Sequence, residues 1–328
     1  MRAHKDRREG MALLVVLLLV AVLAVIAVAV LDDVRFSVRR AVNAETGAQA
    51  QWYAIGAEDM ALRQIRRLHE AGPMKTPLSP EWNGRRFVFP IEEGSVTAVV
   101  RDGQACFNLN SLVEGAPGAW AARPLGVAQF IALARALDIP EGRARMVADS
   151  VTDWIDSDDA PRAAGAEDAV YAPLPRPYRT AGALMIEASE LRAVRGVDAA
   201  TYRALRPYVC ALPIADLSPI NVNTLTPDQA PLIVMLGEGR VSLSAARGAV
   251  AAMPVGGWPD VDAFWTQPAL REARPPQPVH DQVSVRTRYF RFEAEVAYAG
   301  AVAVRSGLIE ISRDNRIHTV VARWMSEE

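Results

Sequence analysis

The segment that decides the fold is residues 11–31, MALLVVLLLVAVLAVIAVAVL. It contains no charged residue, Gly or Pro, and at about 1.5 Å per residue a helix of this length spans the ~30 Å hydrocarbon core of a bilayer. The segment is apolar on every side, whereas a core helix of a soluble domain is amphipathic. We therefore predict a transmembrane helix.

The flanks of this segment predict its orientation. Residues 1–10, MRAHKDRREG, carry four basic side chains and are expected in the cytoplasm by the positive-inside rule, so the chain after Asp32 is expected on the other side of the membrane. A secretory signal would have a shorter apolar region and a small-residue cleavage site. Instead the helical pattern continues without proline as far as Pro73, which predicts one helix over 11–68, roughly 85–90 Å long.

Charge and cysteine content narrow the range of functions. The net charge of −2 provides no strong field that would attract nucleic acid or an acidic surface. The two cysteines, Cys106 and Cys210, both lie on the exported side, where a disulfide persists. Two cysteines without clustered histidines do not make a zinc site. We predict that Cys106 and Cys210 are bonded to each other, and the alternative is two unpaired buried thiols.

The order of predicted elements after the helix indicates an α+β fold. Residues 72–112 begin with a Pro-rich linker and continue with strand alternation and a turn at Asp102-Gly103. Residues 113–280 are mainly helical in pattern, and residues 281–328 return to strands. Strands on both sides of a helical block predict an inserted all-α domain. We expect the strands to form one antiparallel sheet, packed on the amphipathic half of the long helix, residues 32–71.

The beginning of the chain resembles the type IV prepilin class, in which a peptidase cleaves after a Gly on the cytoplasmic side and the new N-terminus is methylated. The resemblance implies a leader of residues 1–10, cleavage between Gly10 and Met11, and N-methylation of Met11. Most members carry Glu five residues after the cleavage site, where this chain has Val15. One branch lacks that Glu: the K-type minor pseudopilins of type II secretion, the GspK family.

The rest of the chain is similar to the same branch. A long helix, a strand segment ending in FNLN (residues 107–110), a large α-domain and a C-terminal meander follow in the family's order. The resemblance implies two SAM-like helical subdomains, at about 113–212 and 213–280. It also implies a single-pass protein of the inner membrane, with a cytoplasmic N-terminus and a periplasmic bulk.

The same resemblance implies a role in assembly. The chain would initiate and cap the pseudopilus at its tip, for export of folded proteins across the outer membrane. Its expected partners are the I-type and J-type minor pseudopilins, the major pseudopilin, the prepilin peptidase, the inner-membrane secretion platform and membrane lipid. Neither nucleic acid nor an enzymatic activity is expected.

One cluster of side chains predicts a metal site. Six carboxylates occupy sixteen positions of the segment DWIDSDDAPRAAGAED, and they are Asp153, Asp156, Asp158, Asp159, Glu167 and Asp168. Crowded carboxylates repel unless a cation lies among them, and hard oxygen ligands without His or Cys suit Ca²⁺. K-type pseudopilins have a calcium-binding loop of similar D-W-x-D-x-D and G-A-E-D character. The alternative is a solvated acidic loop whose Asp residues cap helix ends.

A catalytic interpretation of these carboxylates is disfavoured. Catalysis by paired acids in glycosidases needs two carboxylates held in different environments. The sequence gives no sign that the environment of any one of these six carboxylates differs from that of the others. The histidines are distant from one another in sequence, at positions 4, 69, 280 and 318. We therefore predict that the chain is not an enzyme.

A second segment indicates an alternative function. Residues 218–253, INVNT followed by two helical patterns around Gly237-Glu238-Gly239, resemble the helix-hairpin-helix module of DNA-uptake proteins, whose hairpin amides bind phosphate. Residues 191–209 look like a weaker copy. Residues 216–274, however, contain six acidic residues, four arginines and no lysine. The segment therefore lacks the excess of positive charge that phosphate binding requires. The alternative interpretation is a helical scaffold in which Asn221 and Asn223 cap a turn.

Overall fold

The computed structural model describes residues 3–78, 81–271 and 273–325. Residues 1 and 2 of the expected leader lie outside these ranges. Within them the helices are α1 (Ala3–Ala71), α2 (Pro124–Ala136), α3 (Glu141–Ile155), α4 (Asp168–Tyr171), α5 (Ala199–Leu205), α6 (Ala230–Leu236), α7 (Leu243–Ala251), α8 (Val261–Trp265), α9 (Pro268–Arg271) and α10 (Gln277–Gln282). The strands are β1 (Arg86–Ile91), β2 (Gly94–Asp102), β3 (Phe107–Asn108), β4 (Val113–Ala116), β5 (Ala119–Ala122), β6 (Val209–Cys210), β7 (Ile220–Asn221), β8 (Val283–Ser284), β9 (Tyr289–Tyr298), β10 (Ala301–Ile311) and β11 (Ile317–Arg323).

Helix α1 is a single helix of 69 residues, as the uninterrupted pattern predicts. Its N-terminal apolar part is long enough to cross a membrane and is wholly exposed in the protein. The C-terminal part packs on the sheet through five buried residues spaced three or four apart: Ala50, Ala54, Ala57, Ala61 and Ile65. One end of the helix therefore fits a single-pass membrane anchor, and the other end packs against the sheet.

The body is a five-stranded antiparallel sheet in the order β1-β2-β9-β10-β11. The C-terminal three strands form the predicted meander. The chain bends at the predicted position, Asp102-Gly103, where β2 ends and Asp102 accepts the N–H of Gln104 at 2.6 Å. A further turn at Glu92 and Glu93, which the sequence analysis did not identify, joins β1 to β2. Gly103 marks a close approach of two backbones: its N–H donates to the carbonyl of Tyr289 at 2.7 Å, and a Cβ there would lie 2.9 Å from that oxygen. The chain leaves the sheet at this point.

The segment between β2 and β9 forms the inserted domain, which is not purely helical. It contains a β4–β5 hairpin and two short parallel ladders, β3 with β6 and β7 with β8. The expectation of an all-α insertion is therefore wrong, and so is the placement of FNLN in the body, because β3 pairs within the insertion. Pro117-Gly118 makes the hairpin turn, with Gly118 at φ +79°. This is a turn signal inside the region predicted to be helical.

The inserted domain contains two related halves that share one apolar core. FNLNSL at 107–112 and INVNTL at 220–225 match in chemical type at all six positions. Each begins with a two-residue strand that pairs in parallel with a strand late in its half, β6 or β8. Sequence analysis identified a copy only in the helical hairpins and missed this pair.

The buried asparagines of the two motifs satisfy backbone groups. Asn110 donates to the carbonyls of Met185 and Leu212 at 2.9 and 2.8 Å. Asn221 accepts from the N–H of Asn223 at 2.9 Å, and Asn223 accepts from the N–H of Trp258 at 2.6 Å. The bond within the motif confirms the predicted turn-capping role of Asn221, whereas Asn223 ties the motif to the distant backbone of Trp258.

Two features join the inserted domain to the body. The buried carboxylate of Asp102 accepts hydrogen bonds from Thr224 and from Thr287, the latter at 2.9 Å. Burial raises the pKa of Asp102, and these hydrogen bonds partly oppose the rise. Cys106 and Cys210 form a disulfide within the inserted domain, and this disulfide packs in one apolar cluster with Tyr289 and Leu308 of the sheet.

Candidate metal centre

The acidic loop begins where α3 ends. Asp156 follows Ile155, adopts an extended backbone conformation and donates its N–H to the carbonyl of Thr152 at 2.8 Å. The loop runs to Glu167, after which α4 begins at Asp168. The last turn of α3 is buried, so the loop starts against the core of the inserted domain.

Three carboxylates come together in this loop. Asp156, Asp158 and Glu167 each present an oxygen, and these oxygens lie within 4.8 Å of one another. Asp156 and Glu167 are only 5% exposed, whereas Asp158 is exposed. Oδ1 of Asp156 and Oε1 of Glu167 have no hydrogen-bond partner among the described residues. A buried carboxylate without a partner is costly, so this group has the character of a cation site.

The electrostatics of the group follow from its burial. Burial raises the pKa of Asp156 to about 7, and the neighbouring charges of Asp158 and Asp153 add to the rise. Burial also raises the pKa of Glu167 to about 7, with further contributions from Asp153 and Asp156. In the absence of a cation the site therefore retains protons close to neutral pH.

Asp153 borders the group. Its carboxylate accepts the N–H of Arg162 at 3.2 Å, and burial raises its pKa. A Cβ at Gly165 would lie 1.9 Å from Oδ2 of Asp153. The loop therefore folds over this carboxylate only because residue 165 is glycine.

The other two predicted ligands lie apart from the group of three. Asp168 accepts from the N–H and the hydroxyl of Thr180 at 2.9 and 3.1 Å, and it lies 3.7 Å from Arg179. Asp159 is exposed and is not among the three oxygens that converge. Adjacent residues in an extended or helical segment point in different directions, so a run of acids seldom converges as a whole.

Some residues that shape the loop escaped the sequence analysis. Asp149 pairs with Arg162 at 3.0 Å and accepts the N–H of Ala164 at 3.1 Å. Thr180 lies 3.4 Å from Oε2 of Glu167. Asp149 precedes Asp153 by one helical turn, so helix periodicity provided a signal for it. No sequence signal marked Thr180.

A cluster of three aromatic side chains, Trp154, Tyr171 and Tyr178, lies next to the two ends of the loop. The ring of Tyr171 lies 5.7 Å from that of Trp154, edge to face, and 5.0 Å from that of Tyr178. The indole N–H of Trp154 donates to Glu190 at 3.4 Å. Because Trp154 is next but one to Asp156, its fluorescence should respond to order in the loop.

The donor chemistry fits calcium. The group consists of carboxylate oxygens, two of them buried and unpartnered, without His or Cys, and Ca²⁺ takes six to eight oxygens from flexible loops. Asp156, Asp158 and Glu167 are the residues that would hold the ion, which would neutralise their mutual repulsion. A calcium ion bound to these three residues would hold the acidic loop in one conformation.

The raised pKa values predict a pH dependence. The ordinary values are 3.8 for Asp156 and 4.5 for Glu167, so the metal-free folded protein holds more protons than the unfolded chain between these values and about 7. Its stability should therefore fall as pH rises through this window. Calcium must displace these protons, so its affinity should fall by about tenfold per group for each pH unit below 7.

Thermal unfolding in chelator at pH 5.5 and pH 8, with calorimetry of calcium binding at both, measures these two trends. As pH rises, the stability of the metal-free protein should fall, whereas its affinity for calcium should increase. A metal-free protein that is more stable at pH 8 than at pH 5.5, with the same calcium affinity at both, contradicts the assignment.

The helical hairpin at 237–239 uses its amides internally. The N–H groups of Gly237, Glu238 and Gly239 donate to carbonyls of α6 at 3.0, 2.9 and 2.9 Å. Glu238 also pairs with Arg240 at 2.6 Å. The amides that would bind phosphate are therefore occupied, and the nearby arginine is neutralised.

The predicted processing site lies within α1. Gly10 precedes Met11 within the helix, and Met11 and Val15 are exposed, Val15 to 59%. Cleavage and methylation remain predictions.

Comparisons with known proteins agree with this architecture. Two family models described as type II secretion system, protein K match residues 105–214 and 220–286, which correspond to the two halves of the inserted domain. Type II secretion system protein K of Aeromonas hydrophila is 40% identical over 267 residues, 80% of each chain. That of Pectobacterium carotovorum is 34% identical over 310 residues, 94% of each chain.

A solved structure matches as well. The chain resembles a chain in the crystal structure of the GspK-GspI-GspJ complex from enterotoxigenic Escherichia coli, with a TM-score of 0.77 and 31% identity over 88% of this chain and 99% of that one. The class of protein is thus a minor pseudopilin, a structural component of type II secretion. The chain belongs to the family of type II secretion system protein K. None of the relatives named here is a DNA-uptake protein.

Proposed function

We propose that this chain joins I-type and J-type minor pseudopilins to initiate the pseudopilus and cap its tip. The observation that carries the proposal is the likeness to a chain solved in complex with two other pseudopilins, which extends over 99% of that chain. The partners in that complex are the proposed partners here. The major pseudopilin, the prepilin peptidase and the secretion platform complete the set.

Val15 supports a position at the tip. In a pseudopilus the Glu of an ordinary subunit offsets the N-terminal amine of a neighbour, because an unpaired charge in an apolar core is costly. A subunit at the tip has no neighbour above it and needs no such Glu. Val15 also disfavours repeated incorporation along the shaft.

Helix α1 supports an inner-membrane anchor. Its exposed apolar part is preceded by a basic segment, so we place the N-terminus in the cytoplasm and the body and inserted domain in the periplasm. Cleavage between Gly10 and Met11 would leave this anchor intact, and Met11 would carry the methyl group.

Calcium is the proposed ion of the acidic loop. Asp156, Asp158 and Glu167 would bind it, with Asp153 adjacent. Bound calcium would fix the end of α3 against α4, and thereby order the inserted domain that distinguishes this chain from a simple sheet-and-helix pseudopilin.

Two measurements on the full-length protein test the assembly proposal. The chain, extracted in detergent from cells that also express I-type and J-type pseudopilins, should co-purify with both. In sheared pseudopili it should be present at a small fraction of the major subunit. Failure to co-purify, or stoichiometric amounts along the fibre, would contradict the proposal.

A further inference from the structure

A cleft lined by arginines lies where the end of α1 meets the turn between β10 and β11. Its volume is about 210 Å³, and none of the described residues that line it is acidic. We call this space the arginine cleft, and its lining residues are Ser284, Arg286, Arg288, Ile311, Ser312, Arg313 and Asn315. Three like charges around one small space repel unless an anion lies among them. The cleft is therefore a candidate site for an anion.

Arg286 is a half-buried cation in this cleft. Its Nη2 donates to Oδ1 of Asn315 at 3.1 Å and lies 3.1 Å from Nδ1 of His69. Its Nε is buried and has no hydrogen-bond partner among the described residues. Burial lowers the pKa of Arg286, the positive charge of Arg288 lowers it further, and no carboxylate in the described part of the chain opposes them. Because a half-buried cation without a counter-charge is costly, this guanidinium favours an anion from outside the chain.

The neighbouring charges do not neutralise the cleft. Arg288 pairs with Glu310 at 2.9 Å, but Arg313 is exposed and makes no ion pair with any described residue. His69 adds no charge, because burial and the charge of Arg286 lower its pKa and leave it neutral at pH 7. Two of the three guanidinium groups of the cleft are thus available to an anion.

The arginine cleft opens into a wider depression. Ser312 and Asn315 line both spaces, and the depression has a volume of about 800 Å³. Its other lining residues are Arg66, His69, Glu70, Asp314, Arg316, Ile317 and His318. Asp314 pairs with Arg316 at 2.5 Å, so the depression has little net charge and the excess of positive charge lies in the cleft. A space of this size takes a ligand much larger than one inorganic anion. The cleft therefore suits an anion that is attached to a larger molecule.

The position of the cleft excludes a lipid headgroup as that ligand. At about 1.5 Å per residue, α1 carries His69 roughly 57 Å beyond Leu31, where the apolar segment ends. The headgroup region extends only about 5–8 Å beyond the hydrocarbon core of a bilayer. In the tip position proposed above, no pseudopilin lies beyond this end of α1. The macromolecule that reaches it there is the protein being exported.

We propose that the arginine cleft binds carboxylates on the surface of an exported protein, and that the wider depression accommodates the segment that carries them. Arg286 and Arg313 bind the carboxylates, because a guanidinium group presents parallel N–H donors that match the two oxygens. This inference rests on the proposed function, which places the cleft at the tip, and it assigns to the tip a site for the exported protein.

A labelled acidic peptide tests the site on the full-length protein in detergent. Fluorescein-labelled hexaglutamate should bind, as measured by fluorescence anisotropy. Arg286→Gln with Arg313→Gln should weaken this binding about tenfold, because both changes remove charge-assisted hydrogen bonds. Arg313→Gln alone changes an exposed residue, so it should leave the fold intact and still weaken binding severalfold. The control Arg247→Gln changes an exposed arginine of α7 that lines neither space, and it should bind the peptide like the unmodified protein.

Inorganic phosphate distinguishes an attached anion from a free one. It should displace the labelled peptide only at a far higher concentration than unlabelled hexaglutamate does, because it cannot use the wider depression. Displacement by phosphate and by hexaglutamate at equal concentrations overturns the inference. Equal binding of the peptide by R313Q and R247Q also overturns it.

Crosslinking in secreting cells identifies the source of the carboxylates. A photo-crosslinking residue at position 313 of the full-length chain should crosslink to an exported protein, and the same residue at position 247 should not. Crosslinks from position 313 only to another pseudopilin overturn the inference. The proposed function is judged separately, by co-purification with the I-type and J-type pseudopilins, which R313Q should retain in full. Failure of the unmodified chain to co-purify contradicts the proposed function, whereas the peptide measurement does not depend on those partners.

Discussion

Calcium added to the metal-free protein should raise its stability by about 2.7 kcal/mol at a hundredfold excess over Kd, because the ion binds the ordered loop and not the unfolded chain. For a folded region of this size the melting temperature should rise by roughly 5–10 °C. Proteolysis within residues 160–166 should slow in parallel. The physical reason is the removal of repulsion among Asp156, Asp158 and Glu167, whose oxygens lie within 4.8 Å of one another.

Two variants separate ligand loss from misfolding. Asp156→Asn with Glu167→Gln keeps the shape of both side chains and removes both buried charges, so the metal-free protein should melt no lower than the unmodified one at pH 8. Its response to calcium should disappear. Asp159→Asn changes an exposed carboxylate outside the group and should retain the full response.

The measurement is a thermal melt of the full-length protein in detergent, with calcium or chelator, followed by Trp fluorescence. Trp154, which contacts Tyr171 behind the loop, should report the change. An unmodified protein whose melting curve ignores chelator, and which binds no calcium at millimolar concentration in calorimetry, would have an acidic loop that is only a solvated surface.

Removal of the disulfide should have an effect of similar or greater size. Cys106 and Cys210 are 104 residues apart, and closing a loop of about 100 residues stabilises by up to ~4.7 kcal/mol in the chain-entropy model. Cys106→Ala with Cys210→Ala should therefore lower the melting temperature by about 10 °C or more. The loss should concentrate in the first half of the inserted domain, which the bond closes at β3 and β6.

Reductant provides the control for this prediction. It should lower the melting temperature of the unmodified protein to nearly that of the double variant, and should leave the variant unchanged. Thiol labelling under denaturing conditions should find no free thiol before reduction and two after it. Two free thiols in the exported protein would contradict the bond.

The sequence predicted the parts of the fold that a local period determines. The long helix and the C-terminal meander follow from hydrophobic spacing, which depends on neighbours in the chain. The β3–β6 and β7–β8 ladders join two residues each across about 100 and 60 positions. A two-residue strand has no period, so these ladders were invisible except through the repeated FNLNSL and INVNTL.

The candidate metal site was predictable to a similar extent. Composition located the loop, and the crowding of carboxylates indicated a cation. Which oxygens converge depends on the end of α3 at Ile155 and on Gly165 folding over Asp153. The position of Thr180 beside Glu167 and Asp168 depends on the return of a distant segment. These contacts depend on the tertiary structure and cannot be derived from the spacing of residues in the sequence.

The two ends of the inserted domain meet at neighbouring strands, since Asp102 at the end of β2 is paired with Phe290 near the start of β9. In folding terms, pairing β2 with β9 from the open chain means closing a loop of some 190 residues, with the entropy cost that this carries. Once the inserted domain has folded, its ends stand close together and the closure is short. We therefore expect the inserted domain to fold first, and strands β2 and β9 to pair afterwards. Pulse-labelled hydrogen exchange should show α2, α3 and α6 protected earlier than β2 and β9, and the reverse order would contradict this route.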